Sequence, residues 1–265
     1  MLRQQVTLST STVLNLIRRR GAEPPTVLAA TPVWEDERAR RQAAERADGE
    51  LARLGLHGPS GPDREFDATM AAVSRPAVEY YGWVSGGYEN QPLNYTVLVG
   101  AANGEGFVLA RNTDNDVVVL ASVPPNELLD NVIAQLPPYT PGRGRVLQVP
   151  KSRVVGGARQ PEPEEREISV MRRGGSGPAD PQAAEARRVL ELSRVGGGNL
   201  YAAARDRTGR RVRVERPVNY IDTVEGRWLA EEVPGHGEPL VALHPATAAL
   251  LADRLRTAMS TLPIH

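Results

Sequence analysis

Cysteine is absent from this 265-residue chain. Disulfides, thiolate zinc sites and cysteine nucleophiles are therefore excluded. Lysine is almost absent: Lys151 stands alone, and arginine supplies the rest of the 32 cationic side chains. An excess of positive charge is missing too. The 32 Lys and Arg are balanced by 32 Asp and Glu, giving a net charge of zero. The surplus of cations that replaces phosphate counterions on nucleic acid is not there, so no nucleic-acid partner is expected. Arg210, Arg211 and Arg213 form either a local basic patch or the solvated side of a strand. No apolar run reaches the roughly 18 residues that a membrane span needs. The N-terminal residues lack the charged-then-apolar order of a secretory signal. A soluble, cytoplasmic protein without membrane insertion is the expectation.

Catalytic and metal-binding patterns are missing as well. No two of His57, His236, His244 and His265 fall three or four residues apart, as metal ligands on one helix would. No Gly-x-Ser-x-Gly elbow is present. Gly174-Gly175-Ser176-Gly177 lies in a Gly/Pro-rich stretch with no rigid frame for a nucleophile. Gly196-Gly197-Gly198 precedes a strand-like run, whereas a phosphate cradle needs glycines that open a helix. Asp114 and Asp116 can be read as cation ligands, but a hairpin turn explains them more economically. No catalytic residue, cofactor site or metal site is expected, and the chain reads as a non-enzyme.

What is present is a core's worth of apolar residues, 40% of the chain, in two kinds of period. Residues 3–8 alternate as a strand. Ser9 or Thr10 caps a helix to Arg20, with Val13, Leu14 and Ile17 on one face. Helices are expected at 35–54, with Ala43, Ala44, Ala47, Leu51 and Leu54 inward, and at 63–73. From Pro76 the period becomes two, and strands are expected at 77–84, 94–101, 105–112 and 116–122. Asn103-Gly104 and Asp114-Asn115-Asp116 turn the later hairpins, while 85–93 reads as a longer loop. A helix over 124–136 carries Leu128, Leu129, Val132, Ile133 and Leu136, and Pro137 stops it. A strand at 145–149 follows.

Residues 156–181, rich in Gly, Pro, Arg and Glu, read as a mobile linker with a short helix near 164–172. Beyond it come a helix at 182–195, strands at 199–206, 210–216, 218–223 and 226–232, and an extended piece at 240–243. The last helix starts at Pro245, a favoured first position, with Leu251, Leu255, Met259 and Leu262 inward. Each half thus runs from helical material through antiparallel hairpins to an amphipathic helix ending in Leu-Pro: Leu136-Pro137 and Leu262-Pro263. Grouped hairpins beside grouped helices predict an α+β fold, with a central antiparallel sheet covered by helices. One domain over 1–265 is expected, with an N-terminal half 1–155, the linker 156–181 and a C-terminal half 182–265.

The densest local pattern is Asp222-Thr223-Val224-Glu225-Gly226-Arg227-Trp228-Leu229. It joins two strand-like runs through a turn ending in glycine. Asp222 is expected to accept turn amides, Gly226 to take a positive φ, and Arg227 to face Asp222 across the hairpin. Ile221 and Trp228 then share one face, Tyr220 and Leu229 the other. This stretch resembles the Asp-Thr-x-x-Gly-Arg-aromatic motif of the EspG family, cytosolic chaperones of actinobacterial type VII (ESX) secretion. Val6-Thr7-Leu8-Ser9, Pro25-Thr26-Val27-Leu28, Glu37-Arg38, Leu51-x-x-Leu54-Gly55-Leu56 and Arg75-Pro76 agree with the family in order and spacing, over roughly 6–262.

The resemblance implies a central antiparallel sheet flanked by two helical bundles with quasi-two-fold symmetry. It also implies a role: binding PE–PPE heterodimers at the aggregation-prone tip of the PPE protein, keeping them soluble and helping deliver them to their ESX system. No catalysis or cofactor is implied. The family carries a variable partner-contacting loop where 85–93 lies, so Tyr88, Glu89, Asn90, Gln91 and Leu93 are the expected partner-binding residues. Tyr88 is the anchor, and Asn90 and Gln91 are hydrogen-bonding groups. The alternative for this segment is an ordinary polar loop. The alternative for the chain is an α+β scaffold that self-associates, as a homodimer in the free state, through an open sheet edge. In either case Asp222, Thr223, Gly226, Arg227 and Trp228 are expected to fasten the structure rather than to act.

Overall fold

A computed structural model of the chain describes residues 2, 4–28, 36–58, 61–88, 91–155 and 180–264. In chain order the elements are β1 (Val6–Ser9), α1 (Thr10–Arg19), α2 (Glu37–Arg53), β2 (His57–Gly58), β3 (Gly61–Pro62), α3 (Arg64–Ser74), β4 (Val78–Tyr88), β5 (Gln91–Ala102), β6 (Glu105–Asn112), β7 (Val117–Val123) and α4 (Leu128–Ala134). There follow β8 (Leu147–Pro150), α5 (Lys151–Val155), α6 (Pro181–Glu191), β9 (Arg194–Arg205), β10 (Arg211–Arg213), β11 (Val218–Thr223), β12 (Gly226–Val233), β13 (Leu240–Pro245) and α7 (Ala248–Ser260). The fold is α+β, with a large antiparallel sheet and, among the described residues, seven helices.

The chain forms two compact units. The first comprises Met1–Pro138, Gly196–Asn219 and Thr247–His265, and the second comprises Tyr139–Val195 and Tyr220–Ala246. In the first, strands run in the order β1-β7-β6-β5-β4-β9, with β10 on β9. These neighbours pair antiparallel, and at the β5–β6 turn Asn103 (φ 52) and Gly104 (φ 80) both adopt the left-handed conformation that a tight hairpin requires. One sheet face packs on α1 and α3, burying Leu8, Val13, Ile17, Phe66, Met70, Leu98, Phe107 and Leu120. The second unit holds β12, β13 and β8 in antiparallel register, with β11 beside β12. Its core joins Leu147, Val149, Ala183, Ala186, Val189, Ile221, Trp228 and Leu243.

Helix starts follow their capping residues. Ser9 caps α1 by accepting the Thr12 amide, Asp36 caps α2 through Ala39, and Asp63 caps α3 through Phe66. The second helix therefore begins at Glu37, and Glu35 lies outside the described residues. Of its expected stripe, Ala47 and Leu51 are buried and Leu54 is exposed.

Several boundaries differ from the expectations, each for a local reason. The first strand is Val6–Ser9, the part in register with β7. The fourth helix is Leu128–Ala134 because Pro124 opens a turn instead, with its carbonyl accepting the Glu127 amide. The sixth helix ends at Glu191, and β9 starts at Arg194, so Gly196, Gly197 and Gly198 lie inside a strand rather than before it. The run expected over 210–216 pairs only at Arg211–Arg213. Pro245 closes β13 opposite Trp228 instead of opening the last helix, whose cap is Thr247. The β2–β3 ribbon and α5 were not expected. The linker 156–181 and the helix expected near 164–172 fall, up to residue 179, outside the described residues.

Candidate functional site

The expected loop 85–93 is a ribbon. Strands β4 and β5 stay in register from Val78↔Ala101 through Ser85↔Asn94, Gly86↔Leu93, Gly87↔Pro92 and Tyr88↔Gln91. Pairing of β4 with β9 runs from Val78↔Ala204 to Ser85↔Gly197, and pairing of β5 with β6 begins at Tyr95↔Asn112. Beyond those points the two strands pair with each other. Pro92 has no N–H to donate and is tolerated there, because β5 has only β4 beside it at that level. Tyr88 and Gln91 close the ribbon as backbone partners. Leu93 is half-exposed, and Pro92 and Asn94 are exposed. Glu89 and Asn90 lie outside the described residues.

The same strand carries an aromatic surface that the sequence reading did not single out. Alternation puts Glu79, Tyr81 and Trp83 on one face of β4. Tyr201 of β9 lies directly opposite Tyr81. The two tyrosine rings stack at 5.3 Å with a 12° interplanar angle, and Trp83 meets both edge-on at 6.0 Å. These are the offset and T-shaped geometries that ring quadrupoles favour. Arg211 and Arg213, one strand further on, place their guanidinium carbons 4.9 Å from the Tyr81 centroid and 5.6 Å from that of Tyr201. Trp83 nonetheless remains 39% exposed. A large, well-braced aromatic with that much accessible surface is a ready anchor for a partner. Within the basic run, Arg211 and Arg213 thus cover aromatic rings.

Glu79 lies beneath this surface, 2% exposed, and accepts from Arg211 Nε at 2.5 Å. Burial pushes its carboxyl above the ordinary glutamate value, against the opposing charge and hydrogen bond of Arg211. A second carboxylate with several partners is Glu50 of α2. It accepts from Ser9 N–H at 2.9 Å and from the hydroxyls of Ser9 (2.7 Å) and Thr12 (2.5 Å). This clamp ties α2 to the start of α1. Burial acts to raise Glu50, but these hydrogen bonds outweigh it and hold the carboxyl below the usual range.

In the second unit the Asp222–Leu229 stretch is a two-residue hairpin between β11 and β12. Arg227 donates to Asp222 in bidentate fashion, Nε to Oδ1 at 2.6 Å and Nη2 to Oδ2 at 2.8 Å, with both residues buried. The Tyr220 ring covers the guanidinium at 4.4 Å. Gly226 takes φ 123, and a Cβ there would meet the Pro141 carbonyl at 2.5 Å. Asp222 is not the turn's acceptor: its oxygens belong to Arg227. Thr223 does that work, its Oγ1 accepting the Glu225 amide at 3.2 Å and donating to the Gly226 carbonyl at 2.9 Å. Ile221 and Trp228 share the core cluster, as the alternation predicts. The Arg227 backbone is pinned on both sides: its N–H donates to Thr140 O, and its carbonyl accepts from Gly142 and Ala246 N–H. Trp228 presses on Gly142 so closely that a Cβ there would lie 2.2 Å from its ring.

Among the described residues no three His, Asp or Glu side chains gather as a metal ion would require, and no helix is long and apolar enough to cross a membrane. Asp116 pairs with Arg111 at 3.0 Å and adopts φ 52, and Asn112 accepts the Asp114 and Asn115 amides at the same turn. That loop is explained by its own geometry.

The family model described as the EspG family matches residues 13–257 of the chain. Among curated proteins, no sequence matches. Among solved structures, the chain is similar to the type VII secretion system chaperone EspG5 of Mycobacterium tuberculosis, determined in complex with a PE25–PPE41 dimer. The TM-score is 0.61 at 14% identity, over 98% of this chain and 97% of that one.

Proposed function

The chain belongs to the EspG family, and from that premise we propose that it is a cytoplasmic type VII secretion chaperone that binds PE–PPE heterodimers. The family match across residues 13–257 carries this reading. The likeness in fold to EspG5, over nearly the full length of both chains, accompanies it. The task suits the chemistry present. A PPE tip with exposed apolar residues aggregates unless covered. Covering it takes an apolar anchor with a polar rim, not a reactive group, so the role assigned here is non-catalytic and needs no cofactor.

The contact surface we assign is the β4–β5 ribbon together with the adjoining aromatic face. Tyr88, Glu89, Asn90, Gln91 and Leu93 contribute from the ribbon, with Trp83 as a second anchor supported by Tyr81 and Tyr201. The support for including Trp83 is its exposure within an otherwise braced cluster. The reading extends to organisation: one family domain with halves 1–155 and 182–265 joined by 156–181, helices in two bundles flanking the sheet, and a quasi-two-fold relation between the halves. The matching Leu-Pro exits after α4 and α7 support that relation.

Co-expression with PE–PPE pairs encoded in the same genome tests the function. A stable ternary complex on size exclusion is expected, and failure with every pair would sink the assignment. The alternative, a self-associating scaffold, is disfavoured by the edges available. Both β1 and β8 are four residues long, and β8 ends in Pro150, which suits edges that avoid pairing. Light scattering on the free chain separates the two: a partner-indifferent dimer would favour the scaffold.

A further inference from the structure

In the first unit, a cavity of about 630 Å³ lies between the segment Arg20–Thr26, the C-terminal end of α3 and strands β4, β9 and β10. Its size is that of a small-molecule site. Four arginines reach its wall, Arg20, Arg75, Arg205 and Arg211, against two carboxylates, Glu23 and Glu79. The charges are not evenly cancelled. Arg20 pairs with Asp67, and Arg211 pairs with buried Glu79. Among the described residues, Arg75 and Arg205 have no carboxylate partner. Arg205 instead spends its donors on carbonyls, Nε to Pro76 O at 3.1 Å and Nη1 to Gly209 O at 2.8 Å. The Arg75 Nη2 atom lies against Gly209, 2.8 Å from where a Cβ would stand. Both guanidiniums therefore gather around one turn. Burial and the neighbouring Arg75 charge hold the Arg205 pKa below its usual value, against the opposing pull of the Glu79 charge.

The end of α3 offsets this only in part. A helix C-terminus presents roughly half a negative charge, whereas two guanidiniums bring two full positive ones. Glu23, exposed at the rim, is screened by solvent and offsets the interior charge only in part. Ala22, Pro24, Pro25, Ala71 and Pro76 supply an apolar wall beside the cations. We propose that this cavity is a binding site for a small molecule bearing a carboxylate or phosphate group on a short apolar body, its anionic end held between Arg75 and Arg205. Fixed guanidiniums recognise both kinds of oxyanion through paired N–H donors. The site is independent of the chaperone reading.

Isothermal titration of the full chain tests it, with inorganic phosphate in one arm and succinate in the other, at ionic strength held constant with chloride. A single saturable site for at least one ion is expected, and the stronger arm tells which oxyanion the site prefers. Arg75→Gln should weaken that ion about tenfold, in keeping with loss of one charge-assisted contact. Its melting temperature should not fall, since Arg75 holds no ion pair among the described residues and repels Arg205. Glu23→Gln, at an exposed position, should strengthen binding by removing a like charge from the rim. Absence of saturation by both ions overturns the proposal. So does an Arg75→Gln affinity equal to that of the parent, or a Glu23→Gln affinity that does not rise.

Discussion

At the scale of single residues, two side chains carry opposite kinds of importance. Asp222 is buried against Arg227 and makes both of its short hydrogen bonds there. Its replacement by alanine strips a buried guanidinium of its bidentate carboxylate. A loss of about 3–5 kcal/mol is expected in chemical denaturation. The double change Asp222→Leu, Arg227→Met should recover most of that loss, because the cost lies in keeping a cation buried without its counter-charge and not in the missing attraction. If the double variant is no better than Asp222→Ala, the fastening role assigned to this pair is wrong. Trp83 is the converse. Trp83→Ala should cost the fold only about 1–2 kcal/mol, the scale of its ring contacts, yet weaken PE–PPE binding by about 2 kcal/mol, the scale of a hot-spot aromatic. Equal affinity for variant and parent would remove Trp83 from the interface.

The side-chain bonds of the hairpin could be read from sequence because Asp222, Thr223, Gly226 and Arg227 lie within five residues of one another; its anchoring to Thr140, Gly142 and Ala246 could not. Nor could Trp83. Its period-two relation to Tyr81 was visible, but the ring that stacks on Tyr81 belongs to Tyr201, brought near only when β9 aligns on β4.

At the scale of elements, some starts and turns were written locally and were legible: Ser9, one of the two caps expected, opens α1, the helix expected from 63 begins at Arg64, and Asn103-Gly104 turns where expected, whereas the starts expected at 124 and Pro245 were not. Element ends were less so, since cross-strand pairing decides them. Ser85, Gly86 and Gly87 read as loop by composition but extend β4, because Asn94, Leu93 and Pro92 stand opposite in register. This ribbon should be separable from the fold. Replacing 86–93 by a two-residue turn should leave cooperative unfolding intact and abolish partner capture in co-purification. Unchanged capture would move the interface elsewhere.

A second test at this scale concerns the clamp between α2 and α1. The Glu50 carboxyl sits below its ordinary value in the folded chain. Its contribution is therefore present above the unfolded pKa and is lost as pH falls through the folded one. Glu50→Gln should lower stability near neutral pH. Below the usual glutamate range its stability should converge with that of the parent. Parallel stability curves down to strong acid would exclude the clamp.

At the scale of the whole molecule, the prediction is one of linkage. A partner that binds only the folded chain raises the melting temperature with its own concentration, by about 2.7 kcal/mol of added stability at a hundredfold excess over Kd. Scanning calorimetry across a series of PE–PPE concentrations should show that progressive shift. A melting temperature indifferent to partner concentration would leave the chaperone reading without support. Charge points the same way: a chain with zero net charge at pH 7 has little electrostatic repulsion to keep copies apart, so an exposed tryptophan benefits from being covered.

The pinning of Arg227 also sets a timetable. Its N–H binds Thr140, and its carbonyl takes both Gly142 and Ala246, so three far-separated stretches of chain meet at one residue. During synthesis, residues 139–155 emerge long before the hairpin that completes them. Until it arrives they have no place for Trp228 to fill and no partner for their amides. The second unit can mature only once the hairpin and Ala246 have been synthesised, at roughly 5–20 residues per second. A ribosome stalled before Arg227 would hold a half-built protein whose unfinished edge is itself in need of a chaperone.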